Sequence, residues 1–449
     1  MVKKGKKKLK IWLVTVDMGY GHLRAAYPLR KLADGGLVNA NNYVGIPKKD
    51  RLIWEKQRKF YEFISRFKRV PVVGDALFGI MNWVQEIPAF YPKRDLSHPN
   101  IQLLSAFHVI KSNDWGRHLI KKLSQKPVPL VTPFFATAIM AETHGYPGEI
   151  YCIICDADVS RSWVAVAPKS SRIKYFAPNI RVVERLLLYG VSKSRIFLTG
   201  FPLPEENLGG ANFKTARNDL KYRLLNLDPN KHYLKNYHDT LVKSLKIRNF
   251  PKKSDHPLTL TFAVGGAGAQ RELGGQIVAG LADKIRQHQI RVHLIAGIHH
   301  QVNEYFKKVI AKNGLARELG KGICILFERK KDSYFRKFNH CLRKTDILWT
   351  KPSELSFYCA LGLPIIIAPP IGSQEDFNQR WLVNLGAGNK QEDPRYVDQW
   401  LFDWINSGYL AEAASQGFLE APKLGTFNIT KILAKEMYKV RKPEIFSQY

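Results

Sequence analysis

Three short stretches carry side chains whose types and spacing suit a phosphorylated, hydroxyl-bearing ligand. Gly265, Gly266, Ala267 and Gly268 follow the apolar run Leu258–Val264, and a glycine-rich turn from strand to helix can cradle a diphosphate through its backbone amides. The dinucleotide fingerprint G-x-G-x-x-G is not met, because Arg271 stands at its third glycine position. Lys351, Ser353 and Glu354 follow the apolar strand Ile347–Trp349, which Pro352 ends, since proline cannot continue a ladder and biases the residue before it towards extended backbone. Ser353 is placed to cap the next helix. Gln374, Glu375 and Asn378 sit at a further helix start, marked by the S-x-x-D spacing of Ser373 and Asp376. Their donors and acceptors suit sugar hydroxyls. Near the amino terminus, Gly19 and Gly21 let the backbone turn tightly and leave His22 at a helix start facing a ligand site.

Such residues are useful only if strands and helices position them. Residues 346–388 read as strand, loop, helix, strand, loop, helix. Pro364–Ala368 is apolar throughout, with three isoleucines, as in a strand buried on both faces of a parallel sheet. Phe377, Trp381, Leu382 and Leu385 recur at helical spacing before Gly386 closes the helix. Both helix starts therefore open onto the carboxyl ends of neighbouring strands, where open α/β sheets bind ligands. Further strands are expected at Ile11–Val16, Val128–Val131, Ile150–Ile154, Val292–Ala296 and Ile323–Phe327. The fold class is α/β, with two doubly wound Rossmann-like domains, since single cores stop growing at about 250 to 300 residues and the chain has 449. Residues 1–202 form the first domain and 203–256 a basic linker with an inserted helical piece. Residues 257–425 form the second domain, and 426–449 a terminal helix packing back towards the first.

Seventy Lys plus Arg against 38 Asp plus Glu leave a net charge of +32. That excess implies an anionic partner, nucleic acid or an acidic membrane surface. In residues 51–69, Trp54, Phe60, Phe63 and Phe67 are interleaved with arginines and lysines. Such a helix can lie in a membrane interface, or pack on a core with its cationic face in solvent. No apolar run approaches the ~20 residues of a membrane span. The six lysines among the first ten residues precede an apolar run too short for a signal peptide. Cys152 and Cys155 have C-x-x-C spacing inside the apolar run YCIIC, which reads as a buried strand rather than a zinc or redox site. A reducing cytoplasm fits this cysteine usage.

Several of these motifs together resemble family 28 glycosyltransferases, especially the monogalactosyldiacylglycerol synthase and processive diacylglycerol glucosyltransferase group. Thr350, Lys351, Pro352, Gly362, Leu363, Pro364, Gly372, Gln374, Glu375, Asn378, Gly386 and Ala387 match its carboxyl-terminal signature. DMGYGHLRAA is similar to its G-G-G-H-x-x-A-A turn, with Tyr20 replacing a glycine. CDADVSRSW is similar to T-D-x-x-x-H-x-x-W, with Asp156 and Trp163 in place and Ser160 where histidine is usual. VPVVGDALF resembles the family's lipid-acceptor region.

The resemblance implies the GT-B arrangement, two such domains facing one cleft, and transfer of a sugar from a nucleotide diphosphate sugar, in particular a UDP-sugar, to a lipid or membrane-associated acceptor. Donor-binding residues would be Gly265, Gly266, Ala267, Gly268, Phe327, Lys351, Ser353, Glu354, Gln374, Glu375 and Asn378. Gly19, Gly21 and Trp163 would line the acceptor side, and His22, then Asp156, are the candidates for the base that takes the acceptor proton. No cofactor or metal is expected: the one D-x-D, Asp156 and Asp158, falls in the acceptor domain. The partners are then the nucleotide sugar and an anionic membrane surface or lipid, with no specific nucleic acid, and the location cytoplasmic, peripheral on the inner face of the membrane. Cys359-Ala360-Leu361 replaces the family's E-A-L, whose glutamate grips the ribose, and Glu354 is the candidate for that contact from a shifted position. A nucleotide-sugar 2-epimerase of the same architecture and a non-catalytic basic binding protein are the alternatives.

Overall fold

The strands are short, apolar and buried, and each is followed by a loop that turns into a helix. A computed structural model describes residues 9–67, 87–265, 268, 270–370 and 372–434; the side chains of 60–67 and 373 also lie outside the described set. The chain divides into two compact units. One comprises the described residues of Met1–Met18, His22–Pro202 and Leu424–Tyr449; the other comprises Gly19–Gly21 and Leu203–Lys423.

The first unit is built on β1 (Ile11–Thr15), β2 (Ala33–Asn39), β3 (Leu130–Thr132), β4 (Ile150–Ile153), β5 (Lys174–Ala177) and β6 (Ile196–Leu198), in the spatial order β2-β1-β3-β4-β5-β6. All neighbours run parallel. A parallel sheet covered on both faces needs apolar residues on both sides of each strand, and β1, β3 and β4 are buried almost throughout. The direction of winding reverses between β1 and β3. β2 has no apolar signature, because this edge strand of sequence ADGGLVN is largely solvent-facing.

The second unit is built on β7 (Thr259–Ala263), β8 (Arg291–Gly297), β9 (Ile323–Phe327), β10 (Ile347–Thr350), β11 (Ile365–Ile367) and β12 (Gly388–Lys390), in the order β12-β11-β10-β7-β8-β9, again parallel throughout. The chain starts mid-sheet at β7, builds to one edge, crosses back and builds to the other. This is the strand order of a dinucleotide-binding α/β domain, with its switch point between β7 and β10. Both units are thus α/β, with six-stranded parallel sheets and helices.

Residues 203–256, expected as a linker, belong to the second unit. They form the helices Glu205–Leu208, Lys214–Leu227 and His232–Leu245. The middle helix buries Ala216, Leu220, Leu224 and Leu227, and also the polar Asp219 and Arg223. Its apolar stripe is narrow because polar side chains share the buried face. Arg223 donates to the carbonyls of Thr345 (2.7 Å), Leu361 (3.0 Å), Gly362 (2.8 Å) and Leu342 (3.4 Å). It therefore ties the start of β10 to the turn before β11. Asp219 receives a two-pronged hydrogen bond from Arg343, both prongs at 3.1 Å.

The chain returns to the first unit at Leu424. The helix Gly425–Leu433 packs so closely that a Cβ on Gly425 would stand 2.1 Å from the Phe201 carbonyl oxygen, and Asn428 donates to the Thr199 carbonyl at 2.8 Å. The terminal helix expected within 426–449 thus runs from Gly425, and residues 435–449 lie outside the described set.

The basic segment is a helix, Lys48–Phe67. Trp54, one of the aromatics that could have faced a membrane, is instead 3% exposed. Its ring meets Trp115 edge-on at 4.6 Å and lies 6.0 Å from Phe134, because a large aromatic removed from water by neighbouring rings is worth more in the core. Arg51, Leu52, Lys56, Arg58 and Lys59 are exposed. The side chains of Phe60, Phe63 and Phe67 lie outside the described set. No described helix is long and apolar enough to cross a membrane.

Candidate functional site

In the second unit, three loops at the carboxyl ends of the adjacent strands β7, β10 and β11 are stitched together. The loop after β7 carries Gly265 and Gly268, the latter in the left-handed region at φ +70°; Gly266 and Ala267 lie outside the described residues. Gln270, at the end of this turn, donates to the Pro369 carbonyl after β11 at 2.8 Å. Lys351, directly after β10, lies across Gly265: a Cβ there would stand 2.8 Å from its Cε and 3.7 Å from its Nζ. Its ammonium is ion-paired with Glu375, in the first turn of the helix Ser373–Asn384 that follows β11. Asn378, one turn on, is fully buried and donates to the Pro352 carbonyl at 3.2 Å.

The arrangement spans the switch point between β7 and β10, where this topology opens a crevice for ligands. Chemically it offers a glycine turn for phosphate oxygens, a cation lying over that turn, and a carboxylate with a neighbouring amide, Gln374, for hydroxyls. Gln270 and Arg223 were not singled out above: Gln270 reads as an ordinary first helical residue, and Arg223 as one more cation in a basic stretch.

Four assigned residues stand differently from expectation. Asn378 gives its amide N–H to the backbone and is buried from solvent. Ser353 occupies the cap position but makes no capping bond with its side chain; its N–H donates to the Lys351 carbonyl at 2.9 Å. At the next helix Gly372, and not Ser373, takes the cap position, again with no side-chain cap. Phe327 ends β9, and β8 separates that strand from β7; its ring is 6.0 Å from His300 and lines a cavity of about 220 Å³ with His293, Cys324, Lys337 and Cys341.

Glu354 begins the 3₁₀ stretch Glu354–Leu361, all of it buried. A Cβ on Gly21 would stand 3.1 Å from its Oε2, so any larger residue there needs the Glu354 side chain to give way. Gly19 is required by conformation, at φ +113°. Between them Tyr20 is buried, its hydroxyl accepting from the Ile298 N–H at 2.9 Å and its ring 4.9 Å from Tyr334. Cys359 is wholly buried, with burial pushing its thiol up to about 12, and its backbone packs on Gly417. Cys359 therefore faces the core.

In the first unit the loops after β1 and β3 meet at the other switch point. His22 Nδ1 lies 2.8 Å from the Pro133 carbonyl oxygen. A carbonyl only accepts, so Nδ1 carries the hydrogen, and in the neutral ring Nε2 keeps its lone pair. The ring sits among aromatics, edge-on to Phe134 at 4.9 Å and 6.2 Å from Trp163, which in turn lies 5.7 Å from Phe135. Pro133 and Phe134 were not singled out above, although they directly follow an apolar strand. Asp156 is half-buried after β4. Asp158 is 1% exposed and clasped by Arg185, Nε and Nη2 each at 2.8 Å, with Arg181 Nε at 3.2 Å. Cys152 and Cys155 are buried and form no disulfide.

Residues 231–319 match the profile of a family described as a domain of unknown function, DUF6938. No curated protein matches the sequence. Among solved structures, 95% of the chain is similar to the whole of a UDP-GlcNAc 2-epimerase from Neisseria meningitidis bound to UDP-GlcNAc, at 11% identity and a TM-score of 0.48. Similarity to MurG from Acinetobacter baumannii covers 95% of this chain and 99% of that one, at 12% identity and a TM-score of 0.46. For a glycosyltransferase from Rickettsia africae ESF-5 the figures are 96%, 100%, 14% and 0.40.

Proposed function

We propose that the protein is a glycosyltransferase of the GT-B class that moves a hexose from a uridine diphosphate sugar to a hydroxyl of a lipid or membrane-associated acceptor. The observation that carries this reading is the junction of the β7, β10 and β11 loops, with Lys351 across Gly265 and Glu375 beside it. The signature shared with family 28 supports it. In this reading the second unit holds the donor: the glycine turn and Lys351 take the diphosphate, Gln374 and Glu375 the sugar, and Glu354 the ribose. The acceptor belongs to the first unit. Its hydroxyl attacks the anomeric carbon, the bond to the diphosphate oxygen breaks, and the acceptor proton passes to His22 Nε2, with the diphosphate leaving as the anion. Lys351 stabilises that leaving charge. The cationic excess holds the protein at an anionic cytoplasmic membrane surface.

The test is incubation with radiolabelled UDP-sugars and anionic lipid vesicles containing diacylglycerol. Label in the organic phase together with stoichiometric UDP supports the transferase. A 2-epimer formed without net release of UDP establishes the epimerase alternative instead. Steeply salt-dependent RNA binding with no affinity for uridine nucleotides makes it a basic binding protein.

A further inference from the structure

β9 is the last strand of its sheet, with β8 on one side and no described strand on the other. Its residues, Ile323, Cys324, Ile325, Leu326 and Phe327, include no charge and no proline, the features that commonly blunt an open edge. All but Ile323 are partly exposed. Successive residues of a strand turn their main-chain groups to opposite edges. The Gly322 carbonyl accepts from the Val292 N–H of β8 at 2.9 Å, whereas the Ile323 carbonyl accepts from the Gly320 N–H at 2.8 Å on the open side. Ile325 and Phe327 therefore direct their N–H and C=O groups to that open side as well. The cavity of about 220 Å³ lies against the same edge, with Cys324, Ile325, Leu326 and Phe327 among its walls. Since neighbouring strand residues point to opposite faces, it wraps the edge. Exposed cations surround the strand: Lys321 before it, Arg329 and Lys330 after it, and Lys308, Lys312 and Arg336 on the two helices packed against it. Of the acids there, Glu304 and Glu328 are paired with Lys307 and Lys337.

We propose that β9 is a docking edge for an extended acidic peptide of a partner protein, which adds a strand to the sheet. Main-chain bonds to Ile325 and Phe327 give the peptide its affinity, one apolar side chain enters the cavity, and acidic residues on either side meet the flanking cations. Charge decides between occupants. A second copy pairing through its own β9 sets Lys321 against Arg329 and Lys330, and like charges opposite each other across a strand pair are destabilising. An acidic strand reverses the sign of that contact. A nucleic acid would meet the cations but would leave the main-chain groups of Ile325 and Phe327 without a ladder. The docking edge is independent of the transferase reading.

Fluorescence anisotropy with a labelled nonapeptide, DEVTLTVED, tests the docking, beside the same peptide with its central amides N-methylated and a version with lysines in place of the acids. The acidic peptide should bind about 10-fold or more tightly than the N-methylated one, which keeps every side chain but loses the ladder donors. The lysine version should not bind. Hydrogen exchange read by mass spectrometry should slow across residues 323–328 when the acidic peptide is added. Lys321→Glu combined with Lys330→Glu changes only exposed side chains; it should weaken the acidic peptide about 10-fold and admit the lysine version. Equal affinity for the parent and N-methylated peptides reduces the effect to charge attraction and overturns the proposal. Protection of 323–328 that grows with protein concentration alone assigns the edge to a second copy and overturns it too. Protection by oligouridylate but not by the peptide gives the cations to nucleic acid, with the same consequence. If no peptide binds and the segment exchanges freely, the cations are guards against strand pairing and the docking edge falls.

Discussion

At the scale of single residues, what decides chemistry here is what each side chain is already bonded to. His22 donates Nδ1–H to the Pro133 carbonyl, which orients the ring and leaves Nε2 as the basic nitrogen. Replacing it with Gln should lower sugar transfer by about 10²- to 10⁴-fold, the usual worth of a general base, while leaving UDP affinity unchanged. A loss of UDP binding equal to the loss of rate would move His22 out of the basic role. Asp158 shows the opposite case: two arginines take its carboxylate, so a D-x-D spelling yields an internal brace.

At the scale of elements, buried polar anchors join pieces whose apolar faces are too narrow to join themselves. Arg223 is fully buried and holds four carbonyls. Arg223→Met should cost about 4 kcal/mol or more, since each of the four buried acceptors left unpaired costs about 1 to 3, read as a drop in the urea midpoint. It should also loosen the turn at Gly362, whose φ of +73° and closeness to Leu220 demand glycine. At the amino ends of β7 and β10, His256 lies between two carboxylates, Nδ1 at 2.6 Å from Asp255 and Nε2 at 3.1 Å from the wholly buried Asp346. Burial pushes its imidazolium down, but the hydrogen bond and charge of Asp346, then of Asp255, outweigh burial and hold the group above its ordinary value. A raised histidine contributes stability that is complete below its unfolded value of about 6.5 and is lost as pH climbs through the folded value. Asp255 runs the other way: burial raises it, but Lys344 and His256 hold it below its ordinary value. Its contribution is complete above about 3.9 and is lost as pH falls through the folded value. Stability from this cluster is therefore greatest between about pH 4 and 6.5. His256→Gln should flatten the decline in melting temperature above pH 6.5; an unchanged decline would place its source elsewhere.

At the scale of the whole molecule, the net charge of +32 acts through the surface and not through the fold. Vesicles with anionic headgroups should co-sediment the protein at low salt and release it as salt rises to about 0.5 M, where the screening length falls below ~5 Å; zwitterionic vesicles should not bind it. Because Trp54 is a core residue, Trp54→Ala should leave vesicle binding intact and cost about 3 to 5 kcal/mol of stability. Neutralising the exposed Arg51, Lys56, Arg58 and Lys59 should do the reverse. Equal effects of both changes on sedimentation would mean that vesicle binding follows unfolding.

The alternation of short apolar strands with glycine-marked helix starts was legible in the sequence, because a parallel sheet buried on both faces demands continuous apolar runs and its turns demand glycine. Hence β1, β7, β10 and β11, and the loops that follow them, could be read directly. The edge strand β2 could not, because a strand with one solvent face needs no such run. The sequence also placed Lys351, Gln374 and Glu375 on neighbouring loops. Only the tertiary structure decided their roles, since burial and pairing depend on residues far away along the chain. Asn378 donates to the Pro352 carbonyl, and Glu375 is paired with Lys351, which lies across Gly265. Residues 203–256 joined a core because Arg223 found its four carbonyls, and Trp54 left the surface because Trp115 and Phe134 were there to cover it.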